Sequence, residues 1–145
     1  MNKFLFYFFL SFCANIFAHT DSIPEKYPEK IAHLPSPLPD RVVLTWNDDP
    51  ASTQAVNWRT DTSVLEGIAQ LAIANSNGRE LDPKEVKAET TYFKSDINEA
   101  HYHSVIFKNL KSDTLYAYRV GDGVNWTEYY HFKTASFEEK PFSFI

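Results

Sequence analysis

The chain has 145 residues, with 14 Lys and Arg against 19 Asp and Glu, for a formal net charge of −5 at pH 7. This length fits one domain and is too short for two ordinary ones. Because the basic residues are scattered among acidic ones, no basic stripe is available to neutralise phosphates, which argues against nucleic acid as a partner.

The first eighteen residues have the pattern of a signal peptide. Lys3 supplies a positive start, and residues 4–12 form a nearly unbroken apolar stretch. A small residue, Ala18, follows as the preferred cleavage position, with Ala14 as a poorer choice. The alternative is a membrane anchor, but the stretch is shorter than the roughly 20 residues that a spanning helix needs. We therefore predict a secreted or periplasmic protein with no membrane segment after cleavage.

Cleavage would remove the only cysteine, Cys13. A mature chain without thiols excludes disulfides, thiolate catalysis and cysteine metal sites. An exported domain of this kind depends on dense apolar packing for its stability.

Residues 19–39 form a proline-rich leader. Proline fixes φ and removes an N–H donor, which favours extended conformation, so we expect a linker or a surface arm. The prolines are Pro24, Pro28, Pro35, Pro37 and Pro39.

From residue 40 onward, short segments alternate between apolar and polar residues. This period of two is typical of half-buried strands, and Val42, Leu44 and Trp46 fall on one face of the first. The third could be a helix by residue type, but it is short and precedes Asn77-Gly78, which favours a type I′ hairpin turn. The predicted strands are 41–46, 54–60, 68–74, 86–93, 102–110, 115–120 and 126–134. No helix is predicted.

These segments predict an all-β fold for residues 40–135. About seven short strands with turn signals between them indicate an antiparallel sandwich of the fibronectin-III or immunoglobulin-like kind. Leu110, Thr114 and Tyr116 have the spacing of a tyrosine corner, in which a phenol hydroxyl bonds to backbone a few residues upstream.

Three histidines are the first candidates for chemistry. His101 and His103 are two apart, so on a strand both imidazoles point the same way and could reach one metal ion, with His131 on the last strand. The alternative is one buried, hydrogen-bonded imidazole beside solvated ones. No supporting carboxylate or cysteine has a suitable spacing, so we assign no metal site.

The paired acids and the tryptophans also have two interpretations each. Adjacent residues on an extended chain point apart, so Asp48-Asp49 and Glu138-Glu139 make poor acid/base dyads. Trp46 and Trp58 fall on predicted core faces, whereas Trp126 follows a turn and could belong to a sugar-binding platform. Trp126 is also the middle residue of an N-glycosylation sequon, Asn125-Trp126-Thr127.

The order of these motifs resembles the N-terminal domain of purple acid phosphatases, from about residue 38 to the C-terminus. The motifs are the segments 41–46, Asp49-Pro50, Thr53-Gln54, 58–60, 88–91, 101–103, Leu110, Thr114, Tyr116, 118–123, Trp126 and 132–135. His101 and His103 match the sandwich motif of that family and not its metal motif.

The resemblance implies a fibronectin-III-like sandwich that precedes a metallophosphoesterase domain. That domain hydrolyses phosphate monoesters at a dinuclear centre of iron with zinc, manganese or iron, with Asp, Asn, His and Tyr ligands. Residues 136–145 are expected to be a linker and the first strand of a truncated catalytic domain, because the first Asp ligand of the family comes after that strand.

We therefore assign no catalytic, cofactor-binding or metal-binding residue to this chain. The resemblance implies an accessory domain whose partner is the catalytic domain of the same polypeptide. Two alternatives stay open from sequence: a free-standing adhesion or binding module, and a carbohydrate-binding module that uses Trp126 and nearby tyrosines.

Overall fold

Two four-stranded antiparallel sheets form the protein, whose computed structural model describes residues 27–76 and 81–139. One sheet has the order β1-β2-β6-β5 and the other β4-β3-β7-β8. The elements are α1 (Glu29–Ala32), β1 (Asp40–Thr45), β2 (Gln54–Thr60), β3 (Ile68–Ile73), β4 (Lys84–Lys87), β5 (Glu89–Lys94), β6 (Glu99–Phe107), β7 (Leu115–Gly121) and β8 (Tyr130–Lys133). The predicted all-β antiparallel sandwich is confirmed.

The described residues form eight strands where seven were predicted, because the predicted strand 86–93 is two strands that belong to different sheets. β4 pairs with β3, and β5 pairs with β6. The chain crosses between the sheets at Ala88, whose N–H donates to Gly67 O over 2.8 Å. Alternation alone cannot reveal such a crossing, since both halves keep a strand-like pattern.

The core lies between the two sheets and is rich in aromatic rings. Phe132 stacks on Tyr116, with ring centroids 5.5 Å apart, and faces Phe107 at 6.5 Å. Burying each large apolar side chain stabilises the fold by about 1.5–3 kcal/mol, so packing alone can hold such a domain together. The buried cluster consists of Val56, Trp58, Ala69, Val105, Phe107, Tyr116, Tyr118, Val120 and Phe132.

The tyrosine corner has the geometry predicted from sequence. The backbone N–H of Lys111 donates to Tyr116 Oη over 2.8 Å, and Leu110 packs against the core. Asn109 and Asp113 adopt positive φ angles of 57° and 51°, which Asn and Asp tolerate better than most residues. The corner fixes the connection between β6 and β7.

Trp46 does not occupy the core position predicted for it. Val42 and Leu44 pack against the core, but Trp46 is 71% exposed. β1 is an edge strand with an irregular register between Asp40 and Val43, and it ends at Thr45. The alternation therefore stops one residue short of Trp46. Trp58, on central strand β2, is buried as predicted.

The described part of the leader, 27–39, lies against the sandwich as an arm. It contains one helical turn, α1, which the sequence did not predict; Pro28 precedes it with φ −54°, already suited to a helix start. His33 O accepts hydrogen bonds from Arg59 Nη1 over 3.1 Å and from Asn98 Nδ2 over 2.9 Å. Pro35, within the arm, is buried.

Several sequence predictions lie outside the described residues. They are the signal peptide, the leader before residue 27, the Asn77-Gly78 turn and the segment 140–145. Across residues 27–76 and 81–139, no helix has the length and apolarity needed to cross a membrane.

Replacing Tyr116 with Phe should test the tyrosine corner. The variant keeps the buried ring but leaves Lys111 N–H without its partner, so we expect the free energy of unfolding to fall by about 1 kcal/mol. Urea denaturation would measure the change. Tyr130→Phe is the control, since Tyr130 lies on edge strand β8 and is 36% exposed. Equal losses in the two variants would contradict the corner's role.

Candidate functional site

His103 is the largest polar side chain among the fully buried residues, with no exposed surface. Its Nε2 lies 2.8 Å from Thr60 Oγ1 on β2, and its Nδ1 lies 2.9 Å from Thr90 Oγ1 on β5. A hydroxyl can both donate and accept, so the two threonines satisfy one N–H and one lone pair of a neutral imidazole. Both ring nitrogens are thereby occupied.

The faces and edges of the His103 ring are equally confined. The ring stacks on Trp58, with centroids 5.2 Å apart. A Cβ on Gly67 would lie only 2.7 Å from His103 Cγ and from Trp58 Cζ2, so the close approach of this loop requires glycine. Trp58 Nε1 is buried and has no hydrogen-bond partner among the residues that the structure describes. The packing leaves no open side on which His103 could receive a substrate.

Burial lowers the pKa of His103 to about 4, and the nearby His101 contributes to the same shift. Protonation would place a charge in a low-dielectric environment and would convert both nitrogens into donors. His103 is therefore a neutral imidazole at neutral pH and serves to join three strands.

His101 shares the face of His103, with ring centroids 6.3 Å apart, but has its own partner. Its Nδ1 donates to Val64 O over 2.7 Å. His131 is exposed on β8, which belongs to the other sheet. Among the described residues, no group of three or more His, Cys, Asp or Glu side chains is placed to hold a metal ion.

The acidic pairs do not form dyads either. Asp48 accepts from the N–H of Asp49, whose own carboxylate accepts from Ala51 N–H over 2.9 Å and from Ser52 Oγ over 3.1 Å. These contacts close the turn between β1 and β2. Glu138 and its neighbour are exposed at the end of the described chain.

The sequon lies in the turn after β7, where its asparagine is engaged. Asn125 donates from its backbone N–H to Asp122 Oδ1 over 2.6 Å and from Nδ2 to Asp122 Oδ2 over 3.0 Å. Burial pushes the pKa of Asp122 upward, but hydrogen bonds from Asn125 and Val124 outweigh it and hold the pKa below its usual value. The carboxylate orders this turn.

Trp126 is half-buried and its ring is not an open platform. The guanidinium of Arg119 lies over it, with Cζ 4.6 Å from the ring centroid, and over the Tyr129 ring at 4.8 Å. Arg119 Nε donates to Gln70 Oε1 over 2.8 Å, and Tyr129 Oη donates to the same oxygen over 3.2 Å. Sequence reasoning missed Arg119 and Gln70, because only the strand register places them side by side.

The stability of the protein should depend on pH through His103. Its folded pKa of about 4 lies below the ordinary 6.5, so only the unfolded chain binds a proton between these values. The contribution of His103 to the free energy of unfolding is therefore complete above pH 6.5. It is lost as the pH falls towards 4, by at most about 3 kcal/mol. We expect His103→Gln to be less stable than the natural protein at pH 7. Its free energy of unfolding should, however, fall less steeply as the pH is lowered. Urea midpoints between pH 7.5 and 4.5 would measure both slopes.

His131→Gln is the matched control, because His131 is exposed and should leave the slope unchanged. An unaltered slope in His103→Gln would contradict the assignment to His103.

Comparison with solved structures finds ten similar chains, and two of them have low sequence identity to this one. One is a computer-based redesign of a β-sandwich protein, with 20% identity, 69% of this chain and 96% of that chain covered, and a TM-score of 0.44. The other is Astrotactin-2, a vertebrate-specific perforin-like membrane protein, with 18% identity, 70% of this chain and 22% of that chain covered, and a TM-score of 0.49. At these identities and TM-scores, neither similarity bears on the function of this chain.

A comparison with curated protein sequences finds no match. The family described as Purple acid Phosphatase, N-terminal domain, matches residues 39–134. The matched region begins at the end of the arm and ends after β8, so it contains both sheets. The chain therefore belongs to the purple acid phosphatase family, of which it carries the N-terminal domain.

Proposed function

We propose that this chain is a non-catalytic accessory domain of an exported purple acid phosphatase-like enzyme. The observation that carries the proposal is the family match over residues 39–134, which contains the whole sandwich. The proposal is also supported by the histidine and aspartate side chains, because their hydrogen bonds are made to other groups of the sandwich itself. His103 bonds to two threonines, His101 to Val64 O, and Asp49 to its own turn.

The catalysis would belong to a metallophosphoesterase domain on the same polypeptide, with residues 136–145 leading into it. A dinuclear centre of iron with zinc, manganese or iron would there bind a phosphate monoester and activate water for attack at phosphorus. We assign no ligand of that centre to this chain. Export would use residues 1–18 as a signal peptide that is then cleaved, which accords with the common secretion of family members.

The sandwich would contribute by packing against that domain. The C-terminal segment lies beside the β1–β2 turn, where Ala135 N–H donates to Pro50 O over 3.0 Å. Trp46 and Phe137, which flank this contact in sequence, are 71% and 74% exposed. Large exposed apolar side chains are typical of interaction surfaces. They are the residues we expect the catalytic domain to cover.

An activity assay tests the non-catalytic assignment. The purified chain, supplied with iron and zinc, should hydrolyse p-nitrophenyl phosphate no faster than the same buffer without protein. Metal-dependent turnover that co-purifies with the chain would overturn the assignment.

A fusion tests the accessory role. We expect that joining the chain to a metallophosphoesterase domain of the family raises the thermal midpoint of that domain by several degrees. Each buried large side chain contributes about 1.5–3 kcal/mol, so the double change Trp46→Ser with Phe137→Ser should remove most of the gain. Leu65→Ser is the control, because Leu65 is 72% exposed in the distant β2–β3 connection. Equal midpoints with and without the sandwich would refute the role.

A further inference from the structure

A row of polar side chains crosses the outer face of the sheet β4-β3-β7-β8. Gln70 pairs in register with Glu85 on one side and with Arg119 on the other. Gln70 is buried, and its Nε2 donates to Glu85 Oε1 over 2.8 Å while its Oε1 accepts from Arg119 Nε. The amide is thus fixed at both ends, and it fixes the guanidinium in turn.

Two aromatic rings complete the confinement of Arg119. Trp126 and Tyr129 each lie within 5 Å of the guanidinium carbon, in the geometry of cation–π contacts. Tyr129 also donates to Gln70 Oε1, so the ring cannot turn away without losing a hydrogen bond. A side chain that is usually mobile is therefore held in one orientation.

The outer edge of this guanidinium makes no hydrogen bond within the described part of the chain. Within the described residues, neither Nη atom of Arg119 has a hydrogen-bond partner, and Arg119 joins none of their ion pairs. Among the described residues, Trp58 Nε1 is the one fully buried side-chain nitrogen or oxygen without a hydrogen-bond partner. The two Nη atoms of Arg119 also lack a partner, so they cannot be fully buried. The outer edge of the guanidinium is therefore not completely buried and can be reached by a ligand.

We propose that Arg119 is a binding site for a carboxylate group, such as the end of an Asp or Glu side chain of a protein partner. The two Nη atoms form a planar fork that matches the two oxygens of a carboxylate. Rings against the guanidinium leave its edge for a ligand. Phosphate can also bind such a fork through two oxygens, but a planar carboxylate has no further oxygen atoms outside the guanidinium plane. Because the guanidinium is already oriented, little conformational entropy is lost on binding.

This site is independent of the proposed accessory role. The row lies on the outer face of one sheet, whereas Trp46 and Pro50 belong to the end of the sandwich where the C-terminal segment lies. Either proposal can fail while the other stands.

Acetate titration of the intact chain, followed by ¹H–¹⁵N spectra, tests the site. Ionic strength is held constant with sodium chloride, and the Nε–H signals of Arg119 and Trp126 are monitored. We expect both signals to shift saturably with acetate and not with chloride. Arg119→Lys keeps the charge but loses the fork, so the dissociation constant should rise by about tenfold or more.

A second variant covers the case in which Arg119→Lys does not fold. Arg119→Gln keeps an amide that can donate to Gln70 Oε1 but has neither the charge nor the outer fork, so the acetate response should disappear. Lys133→Gln is the control, because it removes one positive charge from the same sheet at a side chain paired with Asp113, and acetate binding should persist.

Three outcomes would overturn the proposal. The first is a shift of the Nε–H signals with chloride as large as that with acetate. The second is a loss of acetate binding in Lys133→Gln as large as that in Arg119→Lys. The third is saturation by inorganic phosphate without saturation by acetate.

Discussion

One neutral imidazole holds together the end of the sandwich where β2, β5 and β6 meet. His103 connects Thr60 and Thr90, which lie on the strands at either side of β6, and its face carries Trp58. These contacts require a neutral ring with one donor and one acceptor. Keeping a protonated, charged imidazole away from water at this buried position would cost much free energy. The tight approach of Gly67 results from the same packing. A buried polar group thus determines the local strand arrangement, and the apolar core supplies the bulk of the stability.

Much of the fold was predictable because its strands are local patterns. The corner at Tyr116 depends on a spacing of a few residues, so its hydrogen bond to Lys111 could be expected from sequence. Trp46 was placed wrongly because alternation says nothing about where pairing with a neighbour ends. The crossing at Ala88 was missed for a related reason: the choice of sheet is made by partners far along the chain, and the alternation of β4 and β5 is the same in either sheet.

The site residues were harder to predict than the strands. Sequence reasoning selected His101, His103 and Trp126 by residue type, but their roles depend on partners that lie far away in sequence. His103 bonds to Thr60, 43 residues distant, and Arg119 bonds to Gln70, 49 residues distant. Threonine and glutamine carry no signal of their own for such contacts. Tertiary packing sets the strand register. The register then decides whether a histidine can bind a metal ion or is buried and hydrogen-bonded between strands.

The docked arm also determines how the domain can be arranged in a longer chain. His33 is held beside Arg59 and the β5–β6 turn, whereas Ala135 is held beside Pro50 at the opposite end of β2. β2 has seven residues, and at about 3.3 Å per residue the two attachment points are separated by roughly 20 Å. The arm and the C-terminal segment are therefore anchored at opposite ends of β2, so the described chain enters and leaves the sandwich on opposite sides.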